Sequence, residues 1–296
     1  MSAATSGAEV TPARKVRHRK SALRRVLSEP LGLLGSVLVV LTLLGALSAG
    51  LLASSSIALV PMDRFLPPTV NHLLGTDNLG RDLFARVLFG GRVALGISIG
   101  STFVSLALGV AAGLVAGYGP RWLDNFLLLI FDALKSFPTV MLALALVTLI
   151  GPSEGAVFLV VVIANAPSYA RMARTQTMTL KQAEFVEAER SIGAGPGRII
   201  IAHLLPNLLG PILIVAFMDI PVVIAIEAGM SFLGLGVRPP TPSWGTILEG
   251  GFEYIQDSLW PVIAGGLPIV ITTLGFTFLG EALRDAFDPK LATGPR

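Results

Sequence analysis

The 296-residue sequence contains no cysteine, and charged residues make up only 14% of it. The first absence excludes a disulfide framework, an Fe–S cluster, a thiol nucleophile and a cysteine-ligated zinc. The second sets the chain apart from soluble domains, which carry about a quarter charged residues. Histidine is scarce too. His18, His72 and His203 lie far apart and no H-E-x-x-H occurs, so a metal centre would need unusual ligands and none is expected. There is no G-x-x-x-x-G-K-[ST] phosphate loop, and none of the five lysines follows a glycine, which excludes ATP chemistry by that route. No nucleophile–base constellation is visible, so no catalytic residue is assigned. The net charge is +3 with a pI near 9.5. That excess sits in one N-terminal run without stacking aromatics beside it, which argues against nucleic acid. What the chain has in quantity is apolar residues, 53% of the total, with a mean hydropathy of +0.74. This is the composition of an integral membrane protein.

A helix crossing a hydrocarbon core of about 30 Å needs roughly 20 apolar residues. No Asp, Glu, Lys or Arg falls between Pro30 and Met62, and residues 31–53 fill a first span. Five more windows follow at 93–120, 125–150, 156–172, 207–233 and 259–280. The third contains Asp132, Lys135 and Pro138, so its first turns are expected at the interface or against protein. The fourth is short and ends in Arg171 and Arg174. The runs are continuously apolar rather than alternating, which argues against a barrel. A signal peptide is a weaker reading of the first segment, because its apolar stretch exceeds the roughly 7–15 residues of such a region. The expectation is an all-α polytopic membrane protein with about six transmembrane helices.

Orientation follows from the basic residues. With the N-terminus inside, 16 of the 22 Lys and Arg fall in inside segments and 5 in outside loops, with Lys135 in a span. Both termini are then cytoplasmic. The layout is a basic tail (1–29), a first helix (30–53), an outside loop (54–92), a transmembrane domain (93–284) and a C-terminal tail (285–296). The basic tail reads as a topology anchor in contact with anionic lipid.

The outside loop 54–92 holds the turn-rich segment of Gly75, Thr76, Asp77, Gly80, Arg81 and Asp82. Thr76 or Asp77 is expected to cap a short interfacial helix carrying Leu83, Phe84, Val87 and Leu88, which Gly90-Gly91 would end. Asp77, Arg81 and Asp82 read as a local clamp or as a substrate contact. A second outside loop, 235–258, is stiffened by Pro239, Pro240 and Pro242, is broken at Gly250-Gly251 and displays Glu249, Glu253 and Asp257. Asp219 and Glu227 lie inside the fifth span, where acids are costly unless they face a cavity or a partner. They are eight residues apart, about 80° around a helix. Either could line a pore or bond a neighbouring helix.

The inside segment 182–207 is the most informative. Gln182 to Ile192 favours helix, Gly193 permits a tight turn, and Gly195-Pro196 suits a new helix that continues until Pro206. The result is a helix–turn–helix finger, too polar to span a membrane and too apolar to be left in water. It needs a partner groove.

In this finger Glu187-Ala188-Glu189 is followed after three residues by Gly193, and after nine more by His203-Leu204-Leu205-Pro206. The pattern resembles the cytoplasmic EAA loop of ABC importer permeases: E-A-A, three residues, Gly, nine residues, I-x-L-P. Glu189 stands where that pattern has its second alanine, and His203 where it has isoleucine. RIIIAHLLPN (198–207), HLLGTDNLGRDLFARVLFGGR (72–92), EFVEAERSIGA (184–194), EAGMSFLGLGVRPPTPSWG (227–245) and LRDAFDPKL (283–291) are similar to the second permease of dipeptide and oligopeptide importers, the OppC/DppC type. The likeness runs from about residue 70 to the end.

The resemblance implies a type I ABC importer permease fold. It also implies a heteromer in the cytoplasmic membrane: this permease, a second homologous permease, two ATPase subunits or one fused ATPase, and an extracytoplasmic substrate-binding protein. The chain itself would need no cofactor, and ATP and Mg would sit on the ATPase subunits. The finger would dock on the ATPase, with Glu187 and Arg190 at the groove rim and Ala188 on the docking element. Gly193 would set the turn, and Ile199, Ile200 and Leu204 would fill the groove or support the finger. Nickel chelates or glutathione are alternative cargoes. An ion-coupled secondary transporter is the reading from another class, with the two intramembrane acids as a proton relay. A membrane-embedded enzyme is weaker still.

Overall fold

The computed structural model describes residues 22–53, 59–60 and 63–287. The basic run before residue 22 and the motif residues after 287 lie outside them. The helices are α1 (Ala22–Ser28), α2 (Pro30–Leu52), α3 (Leu83–Tyr118), α4 (Arg121–Lys135), α5 (Thr139–Ile150), α6 (Glu154–Leu180), α7 (Glu184–Ser191), α8 (Pro196–Arg198), α9 (Leu205–Phe232), α10 (Trp244–Glu253) and α11 (Trp260–Phe287). A π-helical turn, Ile199–Leu204, joins α8 to α9, so that Pro196–Phe232 forms one rod of 37 residues. Among the described residues, five helices are long and apolar enough to cross a membrane: α2, α3, α6, the Pro196–Phe232 rod and α11. The pair α4 and α5 makes a sixth crossing if counted as one, bent by 89°. The bend falls at Ser136-Phe137-Pro138, where proline lacks the amide and the room to continue the helix.

Side-chain bonds to backbone carbonyls define two ends of the bundle. At one, Arg25 donates to Ala286 O (3.2 Å) and Lys181 to Gly117 O (2.8 Å), gathering α1 and the last turns of α3, α6 and α11. At the other, Arg92 donates to Ala46 O (2.6 Å) and Trp244 Nε1 to Val87 O (3.0 Å), joining α2, α3 and α10. The finger lies at the first end.

The α3–α6 contact is a glycine ridge. A Cβ built on Gly109, Gly113 or Gly117 would lie 2.6, 2.4 and 2.8 Å from the carbonyl oxygens of Ala166, Ala170 and Arg174. Small residues spaced by four let two membrane helices approach this closely. This packing makes α3–α6 the rigid spine to which the finger is attached.

Several expectations about boundaries are corrected. The helix expected to be short and interfacial within 54–92 is the start of α3, which runs unbroken for 36 residues. Its cap is neither Thr76 nor Asp77 but Asp82, whose carboxylate accepts from Ala85 N–H at 2.8 Å. Gly90-Gly91 does not stop it. The pair is buried under Trp244, whose ring atoms would lie 3.2 Å from a Cβ on either residue. Gly250-Gly251 likewise sits inside α10, with Gly251 close against the Pro261–Val262 backbone. The fourth span is not short. α6 carries Arg171 and Arg174 within its 27 residues, and Arg174 is paired with Asp124 of α4 at 2.5 and 2.7 Å. Finally, the second arm of the finger does not end at Pro206. The Leu205 N–H reaches back to Ile200 O, and this wider turn accommodates the ring of Pro206 and its missing amide.

Candidate functional site

α7 projects from the end of α6 and returns through one tight turn. Ala183 precedes the helix without a side-chain cap, and Glu184 and Glu187 in its first turn suit the positive end of the helix dipole. At the far end Gly193 has φ +85°. The Gly193 N–H bonds Arg190 O and the Ala194 N–H bonds Glu189 O, both at 3.0 Å. This is the Schellman arrangement, with glycine at the left-handed position. Pro196 then opens the 37-residue rod at its first position. One residue in a left-handed conformation therefore turns the chain from a short surface helix into a transmembrane one.

Three side chains tether α7. Val186 is fully buried in an apolar cluster with Leu114, Tyr169, Ile199, Leu204 and Leu208. The Arg190 guanidinium lies 5.8 Å from the centre of the Tyr118 ring at the end of α3. Glu189 Oε1 lies 3.3 Å from His203 Nε2 on the π turn. The opposite face, carrying Glu184, Glu187, Ala188 and Ser191, is exposed, and Ile192 at the tip is 76% exposed.

The expected docking residues therefore separate. Glu187, Ala188 and Gly193 are exposed at the finger. Arg190 is exposed and also spans back to Tyr118. Ile199 and Leu204 do not face outward: both are buried among the chain's own helices, so they support the finger rather than fill another protein's groove. Ile200 is half-buried, and Pro206 is exposed on the rod. Sequence reasoning missed Ile192 as the most exposed apolar side chain of the finger. Its signal was present, an isoleucine immediately before the turn glycine with no helical neighbour to shield it.

At the opposite end the loop motif is a locked cluster. Arg81 Nε is 2.6 Å from Asp77 Oδ2, and the same carboxylate accepts from the amides of Leu79 and Arg81 through Oδ1, at 2.9 Å each. Thr76 Oγ1 accepts from Leu66 N–H and donates to Asp63 O. Asp82 adds a 2.8 Å contact to His72 Nδ1. Gly75 and Gly80 have φ +79° and +70°. The clamp reading fits: Asp77 and Arg81 spend their hydrogen bonds on the loop itself. Arg86, buried beside Asp77 at 3.6 Å, belongs to the same cluster.

The two acids of the fifth span are also engaged by their own chain. Glu227 is fully buried, and its Oε1 accepts from Ser231 Oγ at 2.9 Å. Ser231 Oγ in turn accepts from Val237 N–H at 3.1 Å, fixing the loop that follows α9. Asp219 is half-buried and accepts from Tyr169 Oη of α6 at 2.7 Å. Asp219 bonds a neighbouring helix, as a helix-contact acid would, whereas Glu227 bonds Ser231 one turn on in its own helix and leaves its buried Oε2 without a hydrogen bond.

Comparison with known proteins agrees with this architecture. Residues 109–293, more than half of the chain, match the family model described as binding-protein-dependent transport system inner membrane component. The dipeptide transport system permease protein DppC of Alkalihalophilus pseudofirmus is 37% identical over 92% of this chain and 90% of its own length. The glutathione transport system permease protein GsiD of Pectobacterium atrosepticum is 40% identical over 76% of this chain and 74% of its own length. Among solved structures, a chain of the MetNI methionine ABC transporter in inward-facing conformations superposes with a TM-score of 0.55. It is 19% identical and covers 69% of this chain and 97% of that one, a likeness of fold. The described residues carry a bundle of long apolar helices with one short helix held outside it. The chain belongs to the binding-protein-dependent transport system inner membrane components, as a permease of the ABC importer class.

Proposed function

We propose that this chain is one of two homologous permeases of an ABC importer that carries peptides across the cytoplasmic membrane. Its finger is the point at which separate ATPase subunits push. One observation carries the reading: α7 is tethered to the bundle along one side and presents Ile192, 76% exposed, at its tip. A bare isoleucine beside exposed carboxylates suits a partner groove with an apolar floor. ATP and Mg belong to the ATPase subunits, supplied as two chains or one fused chain, and an extracytoplasmic substrate-binding protein delivers the cargo. The distribution of basic residues supports a cytoplasmic finger and cytoplasmic termini. Because Pro196–Phe232 is one continuous rod, closure of the ATPases tilts a transmembrane helix through the turn at Gly193. Relatives named for dipeptide transport favour peptide cargo, and those named for glutathione transport, itself a peptide, mark the nearest alternative.

The absence of cysteine makes the test direct. Ile192→Cys is introduced as a lone thiol, and membrane vesicles of both orientations are treated with an impermeant maleimide and then with a bifunctional cross-linker. The thiol is expected to react only from the cytoplasmic side and to cross-link to the co-purifying ATPase. Labelling from the outside, or an assembled transporter in which Ile192→Cys never reaches the ATPase, overturns the proposal.

A further inference from the structure

We infer that Glu189 and His203 form a positioning pair, a strut that fixes the angle of α7 against the transmembrane rod and so decides how fully a push on the finger moves the rod. The inference rests on the coupling role proposed above and adds the element that transmits it.

The two residues are the positions at which the finger departs from the EAA pattern, and they face one another. Glu189 Oε1 is 3.3 Å from His203 Nε2, although 14 residues separate them in sequence. Glu189 Oε2 is inaccessible and lacks a hydrogen bond, with Arg198 Nε 4.0 Å away at the edge of ion-pair range. The Phe185 ring of α7 also lies 6.4 Å from the His203 ring, centre to centre. The contact sits at a mechanically weak place. The tight turn at Gly193 is exposed and closed by its own two hydrogen bonds, and no side chain of the bundle packs within 4 Å of where a Cβ at Gly193 would lie. Of the other two tethers, Val186 is an undirected apolar contact and Arg190 reaches to α3, not to the rod. Glu189 makes the directed polar contacts between α7 and the rod, the nearer one to His203 and a longer one to Arg198. The His203 contact falls within the π turn, whose wider winding carries His203 toward α7.

Removing one member of a half-buried polar pair orphans the other, whereas replacing both by apolar groups is nearly neutral. That asymmetry gives a test with a sign. Glu189→Ala, His203→Ile and the double variant, which restores the residues of the EAA pattern, are purified as assembled transporters and reconstituted. Solute taken up per ATP hydrolysed is then measured. Each single variant is expected to fall about five- to tenfold in that ratio, with the double variant within about twofold of the native protein. Glu189→Gln, which keeps an oxygen facing His203 Nε2, stays near native. Equal or greater loss in the double variant overturns the strut, as do single variants with the native ratio. Failure of Ile192→Cys to reach the ATPase in the unaltered finger would instead reject the coupling role itself.

Discussion

Replacing Gly193 with valine isolates the turn from everything around it. At φ +85° a β-branched residue is strained, and a left-handed conformation costs an L-residue about 1–2 kcal/mol. No steric penalty adds to this, since a Cβ built at Gly193 meets nothing within 4 Å. The whole cost therefore falls on the two hydrogen bonds that close the turn, Gly193 N–H to Arg190 O and Ala194 N–H to Glu189 O. One to two kcal/mol corresponds to about 5–30-fold in the population of the closed turn. Hydrogen exchange at Ala194 is expected to accelerate by that factor in Gly193→Val, while amides within α3 and α6 exchange as before. Membrane insertion stays normal and uptake is lost. Gly193→Asn serves as the control, because asparagine tolerates the left-handed region, and it should retain protection and uptake. Native exchange at Ala194 in the valine variant, or an equal loss in the asparagine variant, would refute the reasoning. Loss of protection throughout α3 and α6 would refute the claim that the turn is mechanically separate.

Gly113→Leu puts a branched side chain where a Cβ already meets Ala170 O at 2.4 Å. Thermal unfolding in detergent should show overpacking of about 1–3 kcal/mol, with Gly210→Ala, where no atom lies within 4 Å, close to native. Glu227→Ala removes the acceptor for the Ser231 hydroxyl, which orients the oxygen that holds Val237 N–H. It should cost about 1–3 kcal/mol in the same assay, whereas Glu227→Gln keeps Oε1 and most of the stability. Asp219→Asn keeps an acceptor for Tyr169 and is expected to assemble and transport. Tyr169→Phe should lower the unfolding temperature, and a transport defect in fully assembled Asp219→Asn would reassign Asp219 to the pathway.

The amino-acid order settled whatever depends on neighbours along the chain. Uninterrupted apolar runs marked the spans, because a membrane core demands a set length of them. Gly193 before Gly195-Pro196 marked the finger, because turn geometry is a property of a few consecutive residues. The Asp77–Arg81 clamp was readable for the same reason, being closed within five positions. Residues whose meaning depends on something distant could not be read this way. Gly90-Gly91 looked like a helix stop, yet the pair makes room for Trp244, more than 150 positions later. Glycine is at once a flexible residue and a small one, and only the neighbour decides which property is used. The ridge of Gly109, Gly113 and Gly117 was present as a spacing of four, but its partner carbonyls on α6 were not. Ile199 and Leu204 read as groove fillers or as supports of the finger, because an apolar residue carries no label for which surface will cover it, and here α7 and the chain's own long helices cover both. Glu189 and His203 read as two separate departures from a pattern until folding brought them within 3.3 Å. Hydropathy and turn chemistry act locally and survive in one dimension. Packing and pairing are properties of two surfaces at once, so the folded chain alone could decide them.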